Sequence, residues 1–195
     1  PSEEQFKALP GKSFVISKPC KTISGDFHWI KYTKNYIYIS VADCTGHGIP
    51  GALMSMLGLS FLSEALSHKE LEPAEVLGAI RENVIATLHQ TGKPGETRDG
   101  LNIGLVKLPR NQQYDTFHLT FAGAYHDLYI KTPVDDFKVI KAERMPIAFH
   151  EKMTDFKNHT VQVRSGDSLY MFTDGITDQF NGRTNKKLTT KGFLQ

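Results

Sequence analysis

Seven short stretches alternate apolar with polar positions or cluster β-branched residues: KSFVIS (12–17), YIYISVAD (36–43), LNIGLVKL (101–108), TFHLTFAGA (116–124), DLYIK (127–131), HTVQVRS (159–165) and DSLYMFTD (167–174). Runs of this kind predict strands. Between the second and third the pattern changes to helical. The apolar run IPGALMSMLGLSFLS (49–63) predicts a buried helix beginning near Pro50, a residue suited to a first helical turn. It is too short for the ~20 residues that span a bilayer. PAEVLGAIRENVIATLHQ (73–90) places Val76, Leu77, Ile80, Val84, Ile85 and Leu88 on one stripe, the spacing of a helix lying on a sheet, and TGKPGE (91–96) ends it. Beyond residue 100 the strands are joined by short polar connections, which predicts antiparallel hairpins rather than parallel crossovers. Strands, a helical pair and then more strands make an α+β layout with helices packed on sheet, as one domain over 1–195. There is no internal repeat and no long linker, and KKLTTKGFLQ reads as the start of a further helix.

Composition narrows the functional classes. With 39% apolar and 23% charged residues, the chain is not a disordered acidic or basic tail. At 195 residues it can hide roughly 70% of its unfolded surface without staples. A net charge of +2 is too balanced for a nucleic-acid footprint, and the densest basic cluster is only Arg183, Lys186 and Lys187. Two cysteines, Cys20 and Cys44, make no disulfide framework and point to a reducing, cytoplasmic setting. The polar N-terminus PSEEQFKALPGK has no apolar stretch of the secretory type.

The candidate chemistry lies at strand ends. Asp26 stands in ISGDF, Asp43 closes YIYISVAD and Asp174 closes DSLYMFTD. Each alone reads as a turn or cap residue. Two of them follow strongly apolar strands, however, so their carboxylates emerge at the rim of a core, where they repel unless a cation offsets them. Oxygen-only donors suit Mg²⁺ or Mn²⁺. Gly46, Gly48 and Gly51 spell G-x-G-x-x-G, a dinucleotide fingerprint, but no second strand follows until about residue 101, which argues against a nicotinamide cofactor. What remains is backbone able to approach a ligand at a helix start, with the Cys44 carbonyl as a candidate oxygen ligand. His28 and His47 lack the partners of a zinc site, and Cys44 reads as a small buried residue rather than a nucleophile. Ser24 and Thr173 suggest local hydrogen bonding, and Met54 and Met56 suggest core filling. Asp178, four residues after Asp174, would share its helical face and reads equally as an orienting group or a solvated turn residue.

SGDFHW, VADCTGHGIPGALMSM, RDGLNIGL, FAGAYHDLYI and GDSLYMFTDGITDQF occur in the order found in bacterial metal-dependent serine/threonine phosphatases. From about Lys18 to Phe180 the chain resembles the stage II sporulation protein E branch of the protein phosphatase 2C group. The resemblance implies two packed antiparallel sheets flanked by helices, an α-β-β-α sandwich, with a two-metal Mn²⁺/Mg²⁺ centre. It implies that Asp43 bridges both metals, that the Cys44 carbonyl holds one and Asp174 the other, and that Asp26 contacts the centre directly or through water. Gly46, His47, Gly48, Asp178 and Asn102 would then lie near the phosphate or behind the ligands. The expected reaction is hydrolysis of phosphoserine or phosphothreonine by metal-activated water, on a signalling partner such as an anti-sigma-factor antagonist, under an upstream sensor domain. Two departures stand out. No aspartate follows Asp178, where the family carries an Asp-Asp pair, and Asn102 stands where the branch commonly has aspartate in DGMD. The family pattern thus implies a C-terminally truncated domain or one weakly held metal. The competing readings are a non-catalytic or weakly active regulatory module that keeps the fold, and a dinucleotide-binding domain that NAD would stabilise.

Overall fold

The computed structural model describes residues 3–19, 23–111, 115–134 and 136–194; Cys20 lies outside them. The elements are α1 (Glu3–Lys7), β1 (Phe27–Tyr32), β2 (Tyr36–Cys44), α2 (Ile49–Ala65), α3 (Pro73–Thr87), β3 (Leu101–Pro109), β4 (Thr116–Ala124), β5 (Leu128–Lys131), β6 (Lys138–Ile140), β7 (His159–Arg164), β8 (Ser168–Tyr170), α4 (Asp174–Thr177) and α5 (Thr189–Phe193). A five-stranded sheet runs β1-β2-β3-β4-β7 and a three-stranded sheet runs β6-β5-β8. Every pairing in both is antiparallel.

The alternation of side chains across the large sheet builds two cores. On one face Tyr38, Ala42, Leu101, Ile103 and Leu105 pack against Leu62 of α2 and Val76, Leu77, Ile80 and Val84 of α3. On the other face Ile37, Val106, Leu119 and Phe121 meet Leu128 and Ile130 of β5, so the two sheets pack face to face. The small sheet turns Tyr129 outward, where its ring stacks on Phe172 at 4.8 Å, and Phe193 of α5 caps Phe172 edge-on at the same distance. Two packed antiparallel sheets flanked by helices are the expected architecture. β3 is covered on both faces, which is why LNIGLVKL is nearly continuous in apolar character. Each such buried side chain contributes about 1.5–3 kcal/mol. The lone charge in that strand, Lys107, is buried against the Tyr36 ring and pairs with Glu72 at 2.7 Å at the start of α3.

The structure corrects several local expectations. KSFVIS forms no strand: Phe14 and Ile16 are exposed, and strand propensity without a neighbouring ladder yields only extended chain. FHWIKY does form one, β1, although it shows no alternation; as an edge strand it is half-buried on nearly every residue. β6 also forms unheralded, and the regular part of DSLYMFTD stops at Tyr170 because α4 begins at Asp174. The second helix ends at Thr87, before Leu88 and Gln90. Met54 is buried as expected, but Met56 is 67% exposed, since α2 is apolar on faces that do not meet the sheet. No helix among the described residues is long and apolar enough to cross a membrane.

Candidate active site

β1 and β2 run antiparallel with Phe27 opposite Ala42, so the register carries Asp26 to the neighbourhood of Asp43. β2 and β3 set Asn102 directly opposite Asp43, on the same face of the sheet. Asp174 arrives from the other sheet at the first residue of α4. Thr173, the residue before it, donates from its hydroxyl to Asp26 Oδ2 at 2.6 Å across 147 residues of sequence. Ser24 makes the expected local bond, accepting from the Asp26 N–H at 3.1 Å, whereas the Thr173 bond is long-range. The three aspartates proposed from sequence therefore converge.

Their electrostatics follow from that convergence. Burial, then the charges of Asp26 and Asp174, and a hydrogen bond with Asp26, push the Asp43 carboxyl up to about 7. Asp174 is raised by burial, Asp178 and Asp26, and opposed by His126 and Lys187. Asp178 lies one turn on, its N–H donating to the Asp174 carbonyl at 2.8 Å, while its side chain pairs with Lys187 at 2.7 Å. Its charge reaches Asp174, but its salt bridge faces solvent.

The glycine loop holds backbone oxygens beside these carboxylates. A Cβ on Gly25 would sit 3.1 Å from the Gly46 carbonyl oxygen and 3.2 Å from that of Cys44, and one on Gly51 would sit 2.6 Å from the Gly46 oxygen. At Gly51 the backbone approach leaves no room for a Cβ, and at Gly25 a Cβ would be tight. Gly46 and Gly48 have φ of 84° and 66°, the left-handed region. Buried Ser55 of α2 fastens the arrangement: its hydroxyl lies 2.5 Å from the Gly25 carbonyl oxygen and 3.8 Å from Cys44 Sγ. Burial raises the Cys44 thiol to about 12, so it stays protonated and is no nucleophile. β3 returns antiparallel to β2 after both helices, so the glycine fingerprint does not sit in a parallel dinucleotide-binding unit.

His28 is a half-buried β1 residue packed on the Phe6 ring at 5.5 Å, and His47 is exposed on the loop. Sequence reasoning did not single out His126. Burial lowers its pKa against the opposing pull of Asp26 and Asp174, and its Nδ1 lies 3.4 Å from the Val41 carbonyl. Nothing local in FAGAYHDLYI distinguishes this histidine from a turn residue. Ser55 was equally silent, being one small residue in an apolar helix. Two concavities, of about 760 Å³ beside Tyr129, Phe137 and Phe193 and about 370 Å³ beside Tyr32 and Arg110, lie apart from the three aspartates.

The donor chemistry fits a hard divalent cation: mutually repelling carboxylates flanked by backbone carbonyls, with neutral Asn102 opposite. The arrangement is open, since among the described residues no three His, Cys, Asp or Glu side chains are grouped tightly enough to cage an ion.

Comparison with known proteins bears on the fold and the family. Phosphoserine phosphatase RsbU of Bacillus subtilis (strain 168) is 27% identical over 171 residues, covering 84% of this chain and 46% of that protein. The chain thus spans about half the length of this curated relative. The SiaA-PP2C domain of Pseudomonas aeruginosa superposes with a TM-score of 0.77 at 28% identity, over 93% of this chain and 68% of that one. The catalytic domain of the serine/threonine phosphatase PstP, solved in complex with 2 manganese ions, shares the fold at TM-score 0.52 and 14% identity, over 84% of this chain and 76% of that one. Residues 33–194, well over half of the chain, match the family described as stage II sporulation protein E (SpoIIE). This chain belongs to the SpoIIE family of PP2C-type phosphatase domains.

Proposed function

We propose that this domain is a Mn²⁺- or Mg²⁺-dependent protein phosphatase that hydrolyses phosphoserine or phosphothreonine on a signalling partner protein. The observation that carries the reading is the convergence of Asp26 and Asp43, at one end of the β1–β2 pair, with Asp174 from the start of α4, Asp43 being raised to about 7 by burial and by the other two. Asp43, Asp174 and the Cys44 carbonyl would hold the cations, with Asp26 in contact directly or through water. When bound, the cations supply Lewis-acid charge stabilisation and a water acidic enough to act as nucleophile near neutral pH. The chain's own residues do the rest. Thr173 fixes the Asp26 carboxylate by donating to Oδ2, and that carboxylate also hydrogen-bonds Asp43, a contact that a bound cation would replace. Gly46, His47 and Gly48 form the exposed loop at the start of α2 that a phosphate would meet. Asn102 keeps the strand beside Asp43 neutral, and Asp178 acts on Asp174 through its charge. An anti-sigma-factor antagonist is one candidate of that substrate class, and the class itself is supported by the similarity to RsbU, a phosphoserine phosphatase.

Hydrolysis of a chromogenic phosphate monoester and of a phosphoserine peptide, with and without Mn²⁺, tests the reading. Mn²⁺-dependent turnover that disappears in Asp43→Asn supports it; turnover unchanged in that variant overturns it. The openness of the acidic cluster favours one alternative, a weakly active or non-catalytic module retaining the fold. That alternative is established if the protein binds Mn²⁺ and a phosphorylated partner without turnover.

A further inference from the structure

The segment RDG (98–100) is part of a motif that the proposed chemistry leaves unused. In the fold its aspartate faces the glycine loop. Thr45, the residue after Cys44, donates from its hydroxyl to Asp99 Oδ1 at 3.0 Å. The Thr45 N–H donates to the Gly100 carbonyl at 3.0 Å, and the Gly100 N–H donates to Thr45 Oγ1 at 3.0 Å. The hydroxyl thus accepts from the Gly100 amide and has its proton directed to the Asp99 carboxylate, with the Gly100 carbonyl a second, longer acceptor at 3.3 Å, and these contacts restrict the Thr45 side chain. The second Asp99 oxygen accepts from Thr97 Oγ1 at 2.5 Å, so the carboxylate is itself held from both sides.

The Asp99 segment is anchored in turn. Buried Gln90, just past α3, donates from Nε2 to the Asp99 carbonyl at 2.6 Å and accepts the Phe149 N–H at 2.8 Å. A Cβ on Gly100 would lie 2.6 Å from both the Ala148 Cβ and the Ile147 carbonyl oxygen, so the segment is wedged against a second loop. A chain of contacts therefore runs from the end of α3 through Gln90, Asp99 and Thr45 to the peptide whose oxygen is the Cys44 carbonyl. On the other side Gly25 packs against that peptide, where a Cβ would come 3.2 Å from the Cys44 oxygen. Such support is needed for a backbone ligand, because a carbonyl has no side-chain torsion with which to reorient toward a cation.

We propose that Asp99 is a positioning residue that, through Thr45, fixes the direction of the Cys44 carbonyl and so sets the affinity of the site for a divalent cation. The proposal rests on the reading of that carbonyl as a ligand. Groups that orient metal ligands change metal affinity by about 10–100-fold when removed.

Calorimetric titration of Mn²⁺ into the whole chain, with the melting temperature of each metal-free variant recorded alongside, tests it. Asp99→Ala and Thr45→Val are expected to weaken Mn²⁺ binding by about tenfold or more with little change in melting temperature. Thr45→Ser, which keeps the hydroxyl, is expected to bind as wild type. Wild-type affinity in both Asp99→Ala and Thr45→Val overturns the proposal, as does weakening shared equally by Thr45→Ser. Asp43→Asn separates the levels. If it abolishes Mn²⁺ binding while the Asp99 and Thr45 variants bind normally, only the positioning role fails. If Asp43→Asn itself binds as wild type, the metal site and the positioning role fall together.

Discussion

Asp43 and Asp127 are the same residue type at comparable places, near the end of a strand and beside an apolar core, yet their surroundings push them in opposite directions. Burial raises both. At Asp127 the Ala142 N–H at 2.9 Å, Lys141 at 2.9 Å and Arg144 at 3.1 Å outweigh it, and the carboxyl is held below its ordinary range. At Asp43 the neighbours are Asp26 and Asp174, and the carboxyl rises to about 7. The first is a closed arrangement in which every charge has its partner, and it ties the loop after β6 to the corner between β4 and β5. The second is an anionic cluster that the fold assembles without balancing. Unbalanced charge in a defined place costs stability and persists where a ligand or a reaction uses it.

Asp43→Asn breaks the comparison most sharply: Mn²⁺-dependent ester hydrolysis should fall by about a thousandfold, the scale of several kcal/mol of charge stabilisation, as read from initial rates. Asp127→Ala should do the reverse. It leaves the Ala142 N–H unpaired and should lower stability by about 1–3 kcal/mol, read from denaturant midpoints, with Mn²⁺ affinity unchanged. The pH dependences should also oppose each other. The raised carboxyl of Asp43 favours the metal-free fold at low pH, and that contribution is lost as pH rises from its ordinary 3.8 through about 7. The lowered carboxyl of Asp127 contributes above its ordinary value of 3.8, and that contribution is lost as pH falls below it. Metal-free melting curves should therefore show wild type losing melting temperature relative to Asp43→Asn between pH 4 and 7, a difference that saturating Mn²⁺ removes. The smallest effect belongs to Asp178→Asn, whose salt bridge with Lys187 is half exposed on both sides. It should cost under about 1 kcal/mol of stability and shift Mn²⁺ affinity less than the Asp99 variants do.

The elements with two different faces were the legible ones. Of the predicted α3 stripe, Val76, Leu77, Ile80 and Val84 are buried while Ile85 is half-buried and Leu88 lies past the helix end, and the runs of β2, β3 and β4 are strands with largely buried residues. Elements whose character depends on a neighbour misread: KSFVIS has strand composition without a ladder, and FHWIKY has a ladder without strand alternation. Met54 and Met56 are chemically identical two positions apart, and only the direction in which α2 faces the sheet decides that one is buried and the other bare.

The chain's own order of residues settled most of the strands and both long helices, and that the acidic residues sit where strands end, because side-chain periodicity and turn chemistry act over a few residues. Whether those acids meet was decided by the tertiary structure alone. A bond such as that from Thr173 to Asp26 spans 147 residues, and its existence depends on strand register and sheet packing. The repulsion that raises Asp43, and the cations and amide that offset burial at Asp127, act only once distant groups share one low-dielectric place.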